Sequence, residues 1–146
     1  MAKSVLLLNP PGTKRYFRDY FCTCVSKARY YYHPLDLVYL SGTLNKSFEV
    51  HVLDAIVENL SPSQAIGKIE SIKPDILIFL ISSPSYEEDV PFLNSLKSHL
   101  PNTEFIGIGD VYREIRAKAF QLHAFLDAIL VDFSTDDIIN YLLDKK

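Results

Sequence analysis

No apolar run in this sequence approaches the ~20 residues that a membrane-spanning helix requires. The N-terminus also lacks the charged region, long apolar core and small-residue cleavage site of a secretory signal. A soluble, cytoplasmic protein is therefore expected, with no membrane as partner. Cysteine is scarce: Cys22 and Cys24 are the only two, one residue apart. Such close neighbours make poor disulfide partners, and cytosolic thiols stay reduced. A metal site would need more Cys or His at ligand spacing, so both read as free thiols in a loop. No third glycine completes a dinucleotide fingerprint after Gly107 and Gly109. No Ser/His/Asp or Cys/His spacing suggests nucleophilic catalysis. The net charge of −3 disfavours bulk nucleic-acid binding. There is no internal repeat and no low-complexity tract.

What is present is alternation. A chain of 146 residues suits one domain with a core that needs no staples. Val5–Leu8 is a short aliphatic run of the kind buried on both faces of a parallel sheet, and it stops at Asn9-Pro10-Pro11-Gly12. A helix is predicted from Pro34 to about Lys46–Ser47, with Leu37, Leu40, Ser41 and Leu44 at helical spacing and Gly42 allowing close approach to the sheet. Glu49–Asp54 reads as an edge strand, because it is partly polar. Ser61-Pro62 caps a helix whose inward stripe is Ala65, Ile66, Ile69 and Ile72. Asp75–Ile81 is the most apolar strand, hence central. A helix from about Glu87 buries Phe92, Leu93, Leu96 and Leu100, and Glu104–Gly109 is the fourth strand. A helix over about 112–122 turns Ile115, Ala119 and Leu122 inward; Ala128–Val131 is a fifth strand, and Thr135-Asp136-Asp137 caps a final helix through Leu143. Strand–helix alternation of this kind predicts an α/β fold: a flavodoxin-like (Rossmann-like) three-layer sandwich with a five-stranded parallel sheet in the order 2-1-3-4-5.

In that order the loops after the first and third strands face each other across the crevice where ligands gather. They are Asn9–Gly12 and Ser82–Tyr86, with Gly107–Asp110 and Asp132–Ser134 next along the rim. The acids Asp54, Asp110, Asp132 and Asp136 also lie beyond strand ends without forming an indicated pair. A phosphoacceptor receiver would need acids after the first and third strands, where Asn9-Pro10-Pro11 and Ser82-Ser83 stand instead. The two prolines also remove the N–H donors that a phosphate loop needs. Residues 9–33 form an unusually long connection. It holds Tyr16, Phe17, Tyr20, Phe21, Tyr30, Tyr31 and Tyr32, so it is not composed like a disordered linker. A short helix is expected near Tyr16–Cys22. Lys14, Arg15, Arg18, Lys27 and Arg29 face only Asp19 in this segment, a net of +4 that leaves −7 for the rest of a chain totalling −3. That asymmetry suggests a local anionic partner or a partner protein. His51 and His99 read as surface residues, and His33 sits beside the crevice.

Three stretches carry a resemblance. Val5–Pro11, Pro34-Leu35-Asp36-Leu37-Val38-Tyr39-Leu40-Ser41-Gly42 and Val50–Ala55 are similar to the N-terminal cobalamin-binding domain of cobalamin-dependent radical SAM enzymes. Lys73–Ile78, Ser82-Ser83 and Asp127–Val131 match the same pattern, so the resemblance spans essentially the whole chain. It implies a single domain over residues 1–146 that holds a corrinoid at the carboxyl edge of the sheet. The implied cofactor contacts are Asn9, Pro10, Pro11 and Gly12; Ser82, Ser83, Pro84 and Ser85; and Gly109, Asp110 and Val111. Pro10, Pro11 and the loop aromatics would meet the corrin faces, and the serines and the Gly109–Val111 backbone its amides. The basic loop over residues 14–29 would reach the nucleotide phosphate or a catalytic domain. No Asp-x-His-x-x-Gly is present, so no lower cobalt ligand is nominated, and no Cys-x-x-x-Cys-x-x-Cys is present. The resemblance therefore implies a non-catalytic module excised from a longer radical SAM protein. The iron–sulfur cluster and S-adenosylmethionine would belong to the missing catalytic domain. The alternative is a degenerate domain that has lost the cofactor and serves as a protein-interaction module.

Overall fold

The computed structural model describes residues 2–144. β1 (Ser4–Asn9) leads into a hairpin of β2 (Tyr16–Asp19) and β3 (Cys22–Val25), followed by α1 (Leu35–Leu44). β4 (Glu49–Asp54), α2 (Pro62–Ile72), β5 (Ile76–Leu80) and α3 (Tyr86–His99) come next. β6 (Glu104–Ile108), α4 (Asp110–Ile115), α5 (Ala119–Leu122), β7 (Ala128–Ile129) and α6 (Asp137–Asp144) complete the chain. The main sheet has five strands in the order β4-β1-β5-β6-β7. Every pairing in it is parallel. The apolar Ile76–Leu80 run is its middle strand and the partly polar Glu49–Asp54 its edge, because a central strand has no solvent face to offer a polar side chain.

Strand side chains alternate between the two faces, and each face has its own core. Leu6, Leu8, Leu77, Phe79 and Phe105 pack with Ala65 and Ile69 of α2, Phe92, Leu93 and Leu96 of α3, and Val111 and Tyr112 of α4. Val5, Leu7, Ile76, Ile78 and Ile106 pack with Leu37, Leu40 and Leu44 of α1 and Ile138 and Leu142 of α6. The Ser61 hydroxyl accepts from the Gln64 N–H, and the Gln64 side chain returns to the Ser61 N–H, a complete capping box for α2. Among the described residues no helix is long and apolar enough to cross a membrane.

Several sequence expectations need correction. The helix expected near Tyr16–Cys22 is a β-hairpin, paired Tyr16↔Val25 through Asp19↔Cys22. Its aromatic, Thr and Val content suits a pleated surface better than a helical turn. Gly42 lies on the exposed side of α1, where an added Cβ meets nothing within 4 Å, so it permits no close approach to the sheet. The helix expected over 112–122 is broken: α4 ends at Ile115, the next residue Arg116 has a φ of 47°, where glycine is favoured, and a 3-10 turn over Arg116–Lys118 leads into α5. The break shifts the helical register, so Leu122 is exposed rather than inward. A 3-10 turn over Ser83–Ser85 precedes α3. β7 ends at Ile129. Leu130 still donates to the Gly107 carbonyl at 2.9 Å, but Val131 turns out and is 69% exposed.

Two glycines make opposite predictions. An added Cβ at Gly109 would lie 1.8 Å from the Ile81 carbonyl oxygen, so Gly109→Ala should cost about 3 kcal/mol of unfolding free energy. Gly42→Ala should instead stabilise by about 0.5–1 kcal/mol, since it removes backbone entropy from an exposed helix interior without a clash. Urea denaturation of both variants measures the two signs.

Candidate functional site

The carboxyl ends of β1 and β5 do bring Asn9–Gly12 close to Ser82–Ser85, but the space between them is filled. Arg18, projecting from β2, is 2% exposed and lies in it. Its Nη1 donates to Asn9 Oδ1 at 2.9 Å and to the Pro10 carbonyl at 3.0 Å. Nη2 donates to the Pro11 carbonyl at 3.3 Å and to Asp89 Oδ1 at 2.7 Å. Nε donates to Ser85 Oγ at 3.0 Å and to Asp89 Oδ2 at 3.1 Å. Proline donates no ladder hydrogen bond, so the sheet pairing ends at Asn9 and the Pro10 and Pro11 carbonyls accept from Arg18 instead. Ser82 and Ser85 are buried and bonded to each other at 2.7 Å, and Ser85 also donates to Asp89. Burial pushes the Asp89 carboxyl up, while the Arg18 guanidinium and the Ser85 and Ser82 donors pull it back.

The hairpin is tied down at further points. Glu88 accepts from the Thr13 N–H and hydroxyl, each at 2.7 Å, and from the Tyr16 hydroxyl. The Tyr16 ring lies against Gly12, where a Cβ would sit 2.7 Å from it. Asp110 accepts from Ser83 Oγ at 2.7 Å and Thr23 Oγ1 at 3.2 Å, joining the loop after β5 to the start of α4 and to the hairpin. Asp19 accepts the Leu35 N–H at 3.0 Å, and Asp36 accepts the Tyr20 N–H at 2.6 Å, a reciprocal clamp between the hairpin and α1.

The implied contact residues therefore fall into two groups. Asn9, Pro10, Pro11, Ser82 and Ser85 are buried, and the polar atoms of the asparagine and serines are engaged within the protein. Ser83 and Pro84 are exposed, and Gly12 and Asp110 half-buried; Gly109 and Val111 are buried at the turn into α4. Asp54 accepts from the Asn9 amide at 2.9 Å and caps its own turn, whereas Asp132 and Asp136 stay exposed. His33 is exposed.

Open space at this edge lies on either side of an aromatic cluster. Tyr20 meets Phe21 edge-on at 4.9 Å between centroids and Phe133 at 6.1 Å. One cavity, about 800 Å³, is lined by Tyr20, Tyr112, Arg113, Arg116, Ile129 and Val131, among others. Arg113 stacks over Tyr20 and Phe21, with its guanidinium carbon 5.2 and 5.4 Å from their centroids. The other cavity, about 660 Å³, lies between the hairpin and α1. Sequence reasoning missed Arg18 and Asp89 as partners, because they are 71 residues apart. The two-residue alternation of Tyr16, Arg18 and Tyr20, all buried, was the one legible signal that Arg18 faces inward. His123 was missed too: it is buried between the Tyr86 hydroxyl (2.9 Å) and the Tyr112 hydroxyl (3.3 Å) and stacked on Phe125. Burial lowers its pKa, which suits a neutral packing histidine. Among the described residues no group of three or more His, Cys, Asp or Glu could hold a metal ion.

Arg18→Met should cost about 3–5 kcal/mol, because it strands the Asp89 carboxylate, whereas Arg18→Met with Asp89→Leu should recover most of that loss. A double-mutant cycle in urea reads the difference. Burial, partly offset by the Tyr20 N–H and reinforced by Asp19, pushes the Asp36 carboxyl from its ordinary 3.8 up to about 6. The folded state then holds the proton more tightly than the unfolded state, so stability falls as pH rises from about 4 to about 6. Asp36→Asn should be more stable than wild type above pH 6 and indistinguishable from it near pH 4, measured by denaturation across that range. No known protein family's profile matches this chain, and neither does any curated protein.

Proposed function

We propose that this chain is the corrinoid-holding module of a cobalamin-dependent radical SAM protein, cytoplasmic, with a flavodoxin-like three-layer fold. The strand order supports the fold: with the β2–β3 hairpin set aside, β4-β1-β5-β6-β7 runs 2-1-3-4-5, with a separate core on each face. The Asn9-Pro10-Pro11 and Pro34–Gly42 stretches support the cofactor. The β1/β5 crevice itself does not fit a corrin, because Arg18 fills it and its serines are already bonded. The observation that carries the proposal is the cavity of about 800 Å³ beyond β6 and β7. It offers flat aromatic and aliphatic walls for a corrin face and the guanidinium groups of Arg113 and Arg116 for a phosphate or amide oxygen. The Gly109–Val111 turn leads into α4, which carries Arg113. Arg116 supports the assignment further, since a strained non-glycine backbone persists most often at functional positions.

In this reading Tyr20 and Tyr112 set the tilt of the ring, Ile129 and Val131 exclude water beneath it, and Arg113 and Arg116 hold its polar fringe. When bound, the corrinoid supplies alkyl-transfer chemistry at cobalt, and the protein supplies position. In this reading the outer face of the ring is left for a catalytic domain, which would bring the iron–sulfur cluster and S-adenosylmethionine. The chain itself contributes no catalytic group.

A second reading, a cofactor-free interaction module, is favoured by the sealed crevice and by the exposed rings of Phe21 (78%) and Tyr30 (61%). Mixing the protein with hydroxocobalamin, desalting and recording the visible spectrum separates the two. Retained corrin absorbance is expected, weakened about tenfold in affinity by Arg113→Ala with Arg116→Ala. A folded wild type that retains none overturns the corrinoid reading for this chain.

A further inference from the structure

The cavity between the hairpin and α1 has a composition that the corrinoid assignment does not use. Its wall is largely aromatic, with Phe17, Tyr30, Tyr32 and Tyr39 among the lining residues, and its volume is about 660 Å³. That size suits a small molecule. Among the described residues its charged lining groups are the carboxylates of Asp19 and Asp36, with no lysine, arginine or histidine. Among the described residues neither aspartate takes part in an ion pair. Each has a backbone N–H as its hydrogen-bond donor from the opposite element, Leu35 for Asp19 and Tyr20 for Asp36. The nearby arginines are engaged elsewhere: Arg18 is paired with Asp89, Arg15 lies over the Tyr31 ring at 5.1 Å, and Arg113 of α4 lies over the Tyr20 and Phe21 rings and donates to the Tyr20 carbonyl at 3.3 Å.

Two carboxylates that share an apolar cavity with no counter-charge disfavour each other's ionisation. Burial and the Asp19 charge hold the Asp36 carboxyl up at about 6, and burial also raises Asp19. A cation entering the cavity would relieve both. The rings supply the second half of the recognition, since aromatic faces attract a cation that has shed part of its water. Phosphate, carboxylate and other anionic ligands meet the wrong charge here, and a neutral apolar ligand leaves the aspartates as they are.

We propose that this cavity binds a small arylalkyl ammonium cation, its aromatic tail against Phe17 and Tyr32 and its ammonium group between the tyrosine faces and the Asp19 and Asp36 carboxylates. The site is separate from the cavity assigned to the corrinoid, lies on the opposite side of the Tyr20–Phe21–Phe133 cluster, and stands whether or not a corrinoid binds.

Three probes share one hydrocarbon frame and differ in charge: 2-phenylethylammonium, 2-phenylethanol and 3-phenylpropanoate. Titrated into the folded full chain at neutral pH and followed by calorimetry and by the aromatic resonances of the protein, the ammonium is expected to bind about tenfold tighter than the alcohol. The propanoate should be weakest. Asp19→Asn keeps a carbonyl oxygen for the Leu35 N–H, so the clamp survives; it should cut the preference for the ammonium to about threefold and leave the alcohol unchanged. Tyr32→Ala should weaken both the ammonium and the alcohol. Equal affinity for ammonium and alcohol, or no saturable binding of the ammonium by folded wild type, overturns the proposal. So does binding of the peptide acetyl-Gly-Phe-Lys-Phe-Gly-amide without binding of 2-phenylethylammonium, which would assign the cavity to a polypeptide segment instead. The hydroxocobalamin spectrum is read independently, so failure of either assignment leaves the other intact.

Discussion

The buried contact between Arg18 and Asp89 is the constraint on which the carboxyl edge of this protein depends. A two-stranded hairpin has too little surface of its own to be stable in water. Here its buried anchor is a guanidinium whose N–H groups all find acceptors: a carboxylate, an asparagine oxygen, a serine hydroxyl and two proline carbonyls. Taking both charges out of water is costly, and only this full set of hydrogen bonds makes it tolerable. The result is specificity of position. The hairpin can sit in one place, because any shift of Arg18 would leave a buried charge without its partners.

That single placement redistributes the space at the edge of the sheet. In a bare doubly wound sheet the crevice between the first and third strands is the open one. In this chain it is closed, and the openings are displaced to either side, one above β6 and β7 and one against α1. Their electrostatics differ because different elements supply their charged groups. Arg113, Glu114 and Arg116 border the first cavity, with one positive charge in excess, while Asp19 and Asp36 border the second. The aromatic cluster of Tyr20 and Phe21 from the hairpin and Phe133 from the loop after β7 lies between the two cavities.

The strands and most helices were legible in the sequence because their signals are local. Val5–Leu8 and Ile76–Leu80 are aliphatic without interruption, and Ser61-Pro62 followed by Gln64 marks a helix start within four residues. The hairpin was misread because its cues compete. Tyr16–Cys22 is aromatic and amphipathic enough for either period over so short a stretch, and a lone two-stranded unit has no neighbour in sequence to arbitrate. Arg116 was invisible for another reason: nothing about an arginine announces a positive φ.

What the sequence by itself determined is the alternation, the apolar ranking of the strands and the excess of positive charge over residues 9–33, since each of these is a property of neighbouring residues. What only the tertiary structure decided is which polar groups remain available. Asn9, Ser82 and Ser85 read in sequence as ligand contacts; in the structure Asn9 and Ser85 bond Arg18, and Ser82 bonds Ser85 and Asp89. The Arg18–Asp89 pair closes over 71 residues, and whether a serine hydroxyl faces a ligand or a guanidinium depends on what the distant end of the chain has already placed beside it.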